Sequence, residues 1–172
     1  GNILSNVLGV NASLRVLTLG TNRLGPQGGQ AIAVGLEKNS SIVRLDLSEN
    51  GLEFDGVYAI AKALWTNKSL KVLNLQGNEL GPEGGLAIAE ALEMNSTLVE
   101  LDLTQTMIGL ESACTIIQTA SSLKVLNLEL NELGLGDIRP FCEALGGNSS
   151  LTSLCLGHNK ISFQGGPAIG KA

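Results

Sequence analysis

Aromatic side chains are nearly missing from this chain: one Trp, one Tyr and three Phe, 3% of 172 residues. With so few rings, leucine, isoleucine, valine and alanine must fill the core, and the 44% apolar content supplies them. Histidine occurs once, at His158. It has no second imidazole to share a metal with and no Ser or Asp constellation recurring beside it, so a solvated histidine is expected. Cysteine occurs three times, at Cys114, Cys142 and Cys155. An odd count, wide spacings and the lack of a CxxC pair argue against a disulfide framework or a zinc site and fit a reducing compartment. No apolar run approaches the roughly 20 residues of a spanning helix. No basic segment leads into an apolar one as a secretion signal does, so a cytoplasmic location is expected. Basic residues are the minority, 11 Lys and Arg against 16 Asp and Glu, a net charge of -5. Nucleic acid and anionic membranes both want a basic face, so neither is an expected partner.

What the chain has in abundance is leucine at fixed intervals. The frame LxxLxLxxNxL starts at Leu14, Ile42, Leu70, Leu98, Leu123 and Leu151, in steps of 28, 28, 28, 25 and 28 residues. Self-similarity at this period is the signature of a solenoid. Within a unit the period switches. "LKVLNL" alternates as a short strand does. "GGLAIAEALEMN" places Ala87, Ile88, Ala91 and Leu92 on one helical face. Each unit is therefore a strand, a loop and a helix. Successive strands enter one parallel sheet with the helices on its other side. Strands sit about 4.8 Å apart and helices need about 8–10 Å, so the sheet side becomes concave. No unit buries its leucines alone, and stability comes from stacking.

These frames resemble the leucine-rich repeat proteins, in the subfamily of ribonuclease inhibitor, the Ran GTPase-activating protein and the NOD-like receptors. The resemblance spans residues 3–172 and implies an α/β solenoid, a right-handed horseshoe segment with a concave parallel sheet and convex helices. Residues 1–172 read as one such domain of about six repeats, with 1–13 a partial repeat. Residues 3–13 match the back half of a unit's helix, and 167–172 stop midway through another. No polar cap is visible, so the array is expected to continue or to have its ends covered.

Several repeated residues imitate sites. Asn22, Asn50, Asn78, Asn131 and Asn159 share one place in five frames, where an amide satisfies the backbone of a strand turning into a loop. The resemblance implies an asparagine ladder there. The fourth frame has Thr106, whose shorter side chain replaces part of that bonding. Asn11, Asn39, Asn67, Asn95 and Asn148 each open an N-x-Ser/Thr triplet, a glycosylation acceptor if read alone. In register, each lies between a helix and a strand, where Asn is expected to close the helix in the left-handed conformation. The glycines of "GPQGG", "GPEGG" and "SFQGG" open helices, but no Lys-Ser/Thr follows, so a tight, closely packed corner is expected rather than a phosphate loop. "GLGDIRP" begins like a dinucleotide fingerprint and ends in Pro140. No cofactor is expected.

The solenoid hides its leucines and shows the residues between them. Frame positions three, five and seven point to the concave side and position eight to its edge. Frames one, three and five read "L[RK]VL[TN]L", and frames two and four read "[IL]V[RE]LDL", so the true period is two units. The candidate partner-binding residues are Arg44, Asp46, Glu49, Asn74, Gln76, Glu100, Asp102, Asn127 and Glu129. Their surplus of carboxylates fits a basic patch on a protein partner. Asp46 and Asp102 lie two strands apart, about 10 Å, where salt screens their repulsion. They are too far apart, and too far from any nucleophile, for acid–base catalysis, so no enzyme is expected. A second patch is convex: Tyr58 and Trp65, seven apart on one helix, with Phe54 just before them. The expected function is a protein-interaction module. The resemblance leaves two alternatives, a Ran-type activator of a small GTPase and the ligand-sensing array of an NOD-like receptor. Ribonuclease inhibition is disfavoured, because that inhibitor is rich in Cys.

Overall fold

Each frame places its strand on positions three to five, and each stretch between frames becomes a helix. The computed structural model describes residues 2–161 and 165–170. The order is α1 (Asn2–Val10), β1 (Val16–Thr18), α2 (Gly25–Lys38), β2 (Arg44–Asp46), α3 (Glu53–Thr66), β3 (Val72–Asn74), α4 (Gly81–Met94), β4 (Glu100–Asp102), α5 (Gly109–Thr119), β5 (Val125–Asn127), a 3-10 turn (Leu133–Leu135), α6 (Arg139–Gly147), β6 (Ser153–Cys155) and α7 (Gly165–Ile169). The first residues of "SFQGG", 162–164, lie outside the described residues.

The six strands form one parallel sheet in chain order. Register follows the frames without slip: Val16, Arg44, Val72, Glu100, Val125 and Ser153 are neighbours, as are Thr18, Asp46, Asn74, Asp102, Asn127 and Cys155. A one-residue slip would turn Leu45, Leu73, Leu101 and Leu126 outward, and all four are at most 1% exposed. Burying each contributes about 1.5–3 kcal/mol. Leu17 and Leu154, on the outer strands with one neighbour each, are only partly buried. On the helix side Ala87, Ile88, Ala91 and Leu92 are buried together as the 3.6-residue period requires.

The strand-exit edge is stitched by the expected ladder. Asn78 Nδ2 donates to Leu47 O across the unit boundary (3.0 Å) and to Leu75 O in its own turn (2.8 Å). Its Oδ1 accepts from the Asn50 and Leu52 amides, both at 3.1 Å. Asn50, Asn131 and Asn159 repeat the pattern. Thr106 keeps the bond to its own turn, Oγ1 to Leu103 O at 2.7 Å, but has no side-chain amide to reach the unit before. The Asn78 amide turns instead to Leu75 O, and the Leu80 amide is shared between Asn78 O and the Thr106 backbone carbonyl.

A second asparagine ladder runs along the opposite edge. Asn67 Nδ2 donates to Leu36 O and Asn39 O of the preceding unit, and its Oδ1 accepts from the Ser69 and Leu70 amides. Asn39, Asn95 and Asn148 do the same one unit away. The left-handed conformation expected for them does not occur. φ is -80° at Asn39, -69° at Asn67, -106° at Asn95 and -86° at Asn148, all extended. The side chain, not the backbone twist, satisfies the helix end. Asn39, Asn67 and Asn95 are buried, so these N-x-Ser/Thr triplets are rungs and not accessible acceptors. Unit four carries Ala120 at this place, and its helix α5 has 11 residues where α2, α3 and α4 have 14. It lacks both asparagine rungs.

Left-handed backbone appears in the loops and helix starts. Gly25, Gly81 and Gly109 open α2, α4 and α5 at φ 64°, 65° and 72°, and Glu53 takes the same conformation at φ 52° to open α3. Glu53→Gly removes the Cβ from a conformation that costs about 1 kcal/mol, so a stabilisation of about that size is expected in urea denaturation. An unchanged or lower midpoint would show that the carboxylate at the helix N-terminus outweighs the strain.

Candidate functional site

The concave row at frame position five is not simply a set of free polar groups. Asp46 Oδ1 accepts from Ser48 N (3.0 Å) and Ser48 Oγ (2.8 Å). Asp102 Oδ1 accepts likewise from Thr104 N and Oγ1, at 2.9 and 2.6 Å. Asn74 Oδ1 and Asn127 Oδ1 accept from the Gln76 and Glu129 amides. Each side chain closes an Asx turn where its strand ends. This local role was missed from the sequence; its signal was an Asp or Asn two residues before the loop in the four middle frames. One oxygen of each carboxylate is thus spent on the fold. Asp102 Oδ2 also accepts from Asn127 Nδ2 at 3.3 Å, linking β4 to β5.

The charged row at position three is partly neutralised. Arg44 Nη2 meets Glu100 Oε1 at 3.4 Å, two strands away and across Val72, with side chains 51% and 40% exposed. An exposed pair of this kind contributes about 0.2–1 kcal/mol. At the loop edge Glu129 Oε1 lies 3.8 Å from His158 Nε2, an exposed histidine as expected. Glu49 is exposed and left-handed at φ 51°, and Gly77 packs against its side chain. Gln76 is half-buried beside it in the neighbouring unit. Arg44, Asp46, Asn74, Gln76, Glu100, Asp102, Asn127 and Glu129 therefore share the strand face, with Glu49 on its rim.

On the convex side Phe54, Tyr58 and Trp65 all lie on α3 and are 41%, 36% and 42% exposed. The Phe54 and Tyr58 rings stack at 5.4 Å between centroids, and Lys62 Nζ sits 4.5 Å from the Tyr58 ring centre. Part of the apolar area is thus covered from within the helix, a contact of about 0.5–1 kcal/mol at an exposed site.

Several glycines at or near the corners lie against a neighbouring unit. Gly29 meets the Gly56 backbone, Gly85 meets Ser112 and Ile108, and Gly134 of "GLGDIRP" meets the Lys160 carbonyl. These glycines exist because a neighbouring unit occupies the space. Asp137 is held below the usual carboxylate range by hydrogen bonds from the side chain and amide of Arg139, which opens α6, and the pair is exposed. Among the described residues no group of three His, Cys, Asp or Glu is placed to hold a metal. Cys114, Cys142 and Cys155 are unpaired thiols, and burial raises the Cys114 pKa. No described helix is long and apolar enough to cross a membrane.

A strand–loop–helix unit repeated along one parallel sheet, with asparagine rungs at both edges, defines a leucine-rich repeat solenoid. The profile described as "Leucine Rich repeat" matches residues 10–33, 38–61, 66–89 and 147–170, more than half of the chain, and the chain belongs to that family. Among solved structures it is similar to "Leiomodin-1 Actin-Binding Site 2 (ABS2)", with a TM-score of 0.69 and 19% identity over 84% of this chain and 86% of that one. It is also similar to a tropomodulin C-terminal domain from Caenorhabditis elegans, with a TM-score of 0.66 and 14% identity over 98% and 88%. At these identities the likeness is one of fold. No curated protein sequence matches the chain significantly.

Proposed function

We propose that this chain is a non-catalytic protein-interaction module of the cytoplasm that takes its partner on the concave sheet face. The observation that supports this most is the unbroken register that sets Asp46, Asn74, Asp102 and Asn127 side by side, half-buried and fixed by their own turns. A preorganised polar row loses little entropy on binding. Its carboxylates, with Glu49 and Glu129, suit a basic patch on the partner. The two-unit alternation supports a place near the ribonuclease-inhibitor-like repeats. The GTPase-activator and NOD-like alternatives gain no further observation.

Actin is the first partner to test, because a leiomodin-1 segment of like fold is an actin-binding site. Cosedimentation with filaments and anisotropy with monomeric actin measure it. Combining Asp46→Lys, Asp102→Lys and Glu129→Lys is expected to weaken binding by about 1–3 kcal/mol, roughly 5- to 150-fold, and to flatten its salt dependence. Unchanged affinity with an unchanged salt slope overturns the choice of face. If neither form of actin binds, actin is removed, and the same triple variant tests the face against the protein that does bind.

A further inference from the structure

Three of the eleven cations of this acidic chain fall in one register. Frame position two, where the chain enters each strand, reads Arg15, Val43, Lys71, Val99, Lys124 and Thr152. Cations and valines alternate strand by strand. The row is rigid, because each carbonyl in it binds two amides of the next strand: Arg15 O takes Val43 N and Arg44 N, Val43 O takes Lys71 N and Val72 N, and the pattern continues to Lys124 O. Val43 and Val99 are 37% and 36% exposed, and Arg15 and Lys124 are exposed. Among the described residues, carboxylates pair with Arg44, Arg139, His158 and Lys160, and none pairs with Arg15, Lys71 or Lys124. Arg15 donates only to the Ser41 carbonyl. The rim is thus a line of unneutralised cations with apolar steps between them.

Spacing identifies what fits it. Alternate strands are about 10 Å apart, so the cations repeat at about 10 Å with a valine midway. An extended segment crossing the strands covers about 10 Å in three residues, but residues three apart point to opposite sides of a strand. A β-strand therefore cannot offer an acid to each cation, and a polyproline II segment, which returns to one face every three residues over about 9.3 Å, has no residue midway to meet the valine. A helix covers about 10.5 Å in seven residues, which return to the same face, and the residue three or four along falls on the valine. Nucleic acid has no use for the valines and is opposed by the net charge of -5.

We propose that the strand-entry rim, Arg15–Val43–Lys71–Val99–Lys124, docks one acidic amphipathic helix of a protein partner, laid across the strands with a carboxylate every seventh residue and an apolar residue between. This goes beyond the acidic-face proposal and uses different side chains. The probe is a synthetic helical peptide of three heptads, each opened by a glutamate with a leucine three residues later, labelled for anisotropy. Its control has the same composition in scrambled order. The ordered peptide is expected to bind about tenfold more tightly than the scrambled one at low salt. Lys71→Glu with Lys124→Glu is expected to erase that difference, and Val43→Asp with Val99→Asp to weaken binding with the cations in place. Asp46→Lys with Asp102→Lys leaves the preference for the ordered peptide intact. Arg15, Val43, Val99 and Lys124 are exposed, and Lys71, Asp46 and Asp102 are half-buried, so unchanged circular dichroism and an unchanged urea midpoint are required of each variant. Equal binding of ordered and scrambled peptides, or an ordered peptide indifferent to the Lys71 and Lys124 reversals, overturns the proposal whatever becomes of the acidic face.

Discussion

Asn78→Ala is expected to lower the unfolding free energy by about 3–5 kcal/mol, a large share of the stability of a domain this size. The side chain is fully buried and serves five backbone groups in two units: Leu47 O, Leu75 O and Gln76 O as donor, Asn50 N and Leu52 N as acceptor. Alanine deletes every one of these bonds. Each stranded group costs about 1–3 kcal/mol, and partial rescue by neighbouring amides keeps the total below the sum. The matched control is Asn22→Ala at the exposed first rung, where both carbonyls it serves are near solvent; about 1 kcal/mol or less is expected. Urea denaturation of both variants decides the matter. An Asn78→Ala midpoint close to the parent's would mean that the ladder is decoration.

Gly29→Ala is expected to cost about 2–3 kcal/mol although alanine favours helices by about 1 kcal/mol over glycine. Its Cβ would stand 2.7 Å from Gly56 Cα and 3.1 Å from the Gly56 carbonyl. Both obstacles are backbone and cannot rotate away, so α2 and α3 must separate along their whole contact. Gly147→Ala in α6 is the control: nothing lies within 4 Å of its Cβ, and the propensity gain should appear alone. Thermal melts of the two variants should therefore move in opposite directions. A stabilised Gly29→Ala would refute the close approach of the two helices.

The sequence made the leucine frames, the helical face of Ala87, Ile88, Ala91 and Leu92, and the first asparagine ladder legible, because each repeats at the unit period with one residue type. Asn39, Asn67, Asn95 and Asn148 were visible in register as helix ends, but not as a second ladder: that their side chains reach the carbonyls of the preceding unit depends on how the units stack. The Arg44–Glu100 bridge could not be read at all: its partners are 56 positions apart and meet only because Val72 between them is small enough to cross. The concave residues were assigned to the right side of the sheet by alternation. That Asp46 and Asp102 each give an oxygen to their own loop depended on turn geometry, which alternation does not carry. The packing of Gly29 on Gly56 likewise follows from how the units stack, not from either local sequence.

Unit four, with Thr106 and Ala120 in place of both rungs and the shortest of the four long helices, makes the array uneven under load. A stack of identical layers bound at two edges distributes a pull equally among its joints. Here the joint between α4 and α5 is fastened on neither edge by an amide side chain. Serine hydroxyls cross it instead, Ser112 Oγ on Pro82 O and Ser122 Oγ on Leu98 O, with fewer bonds than an asparagine rung makes. A ligand that spans the sheet would act as a splint across this seam, which lies between Asn74 and Asp102.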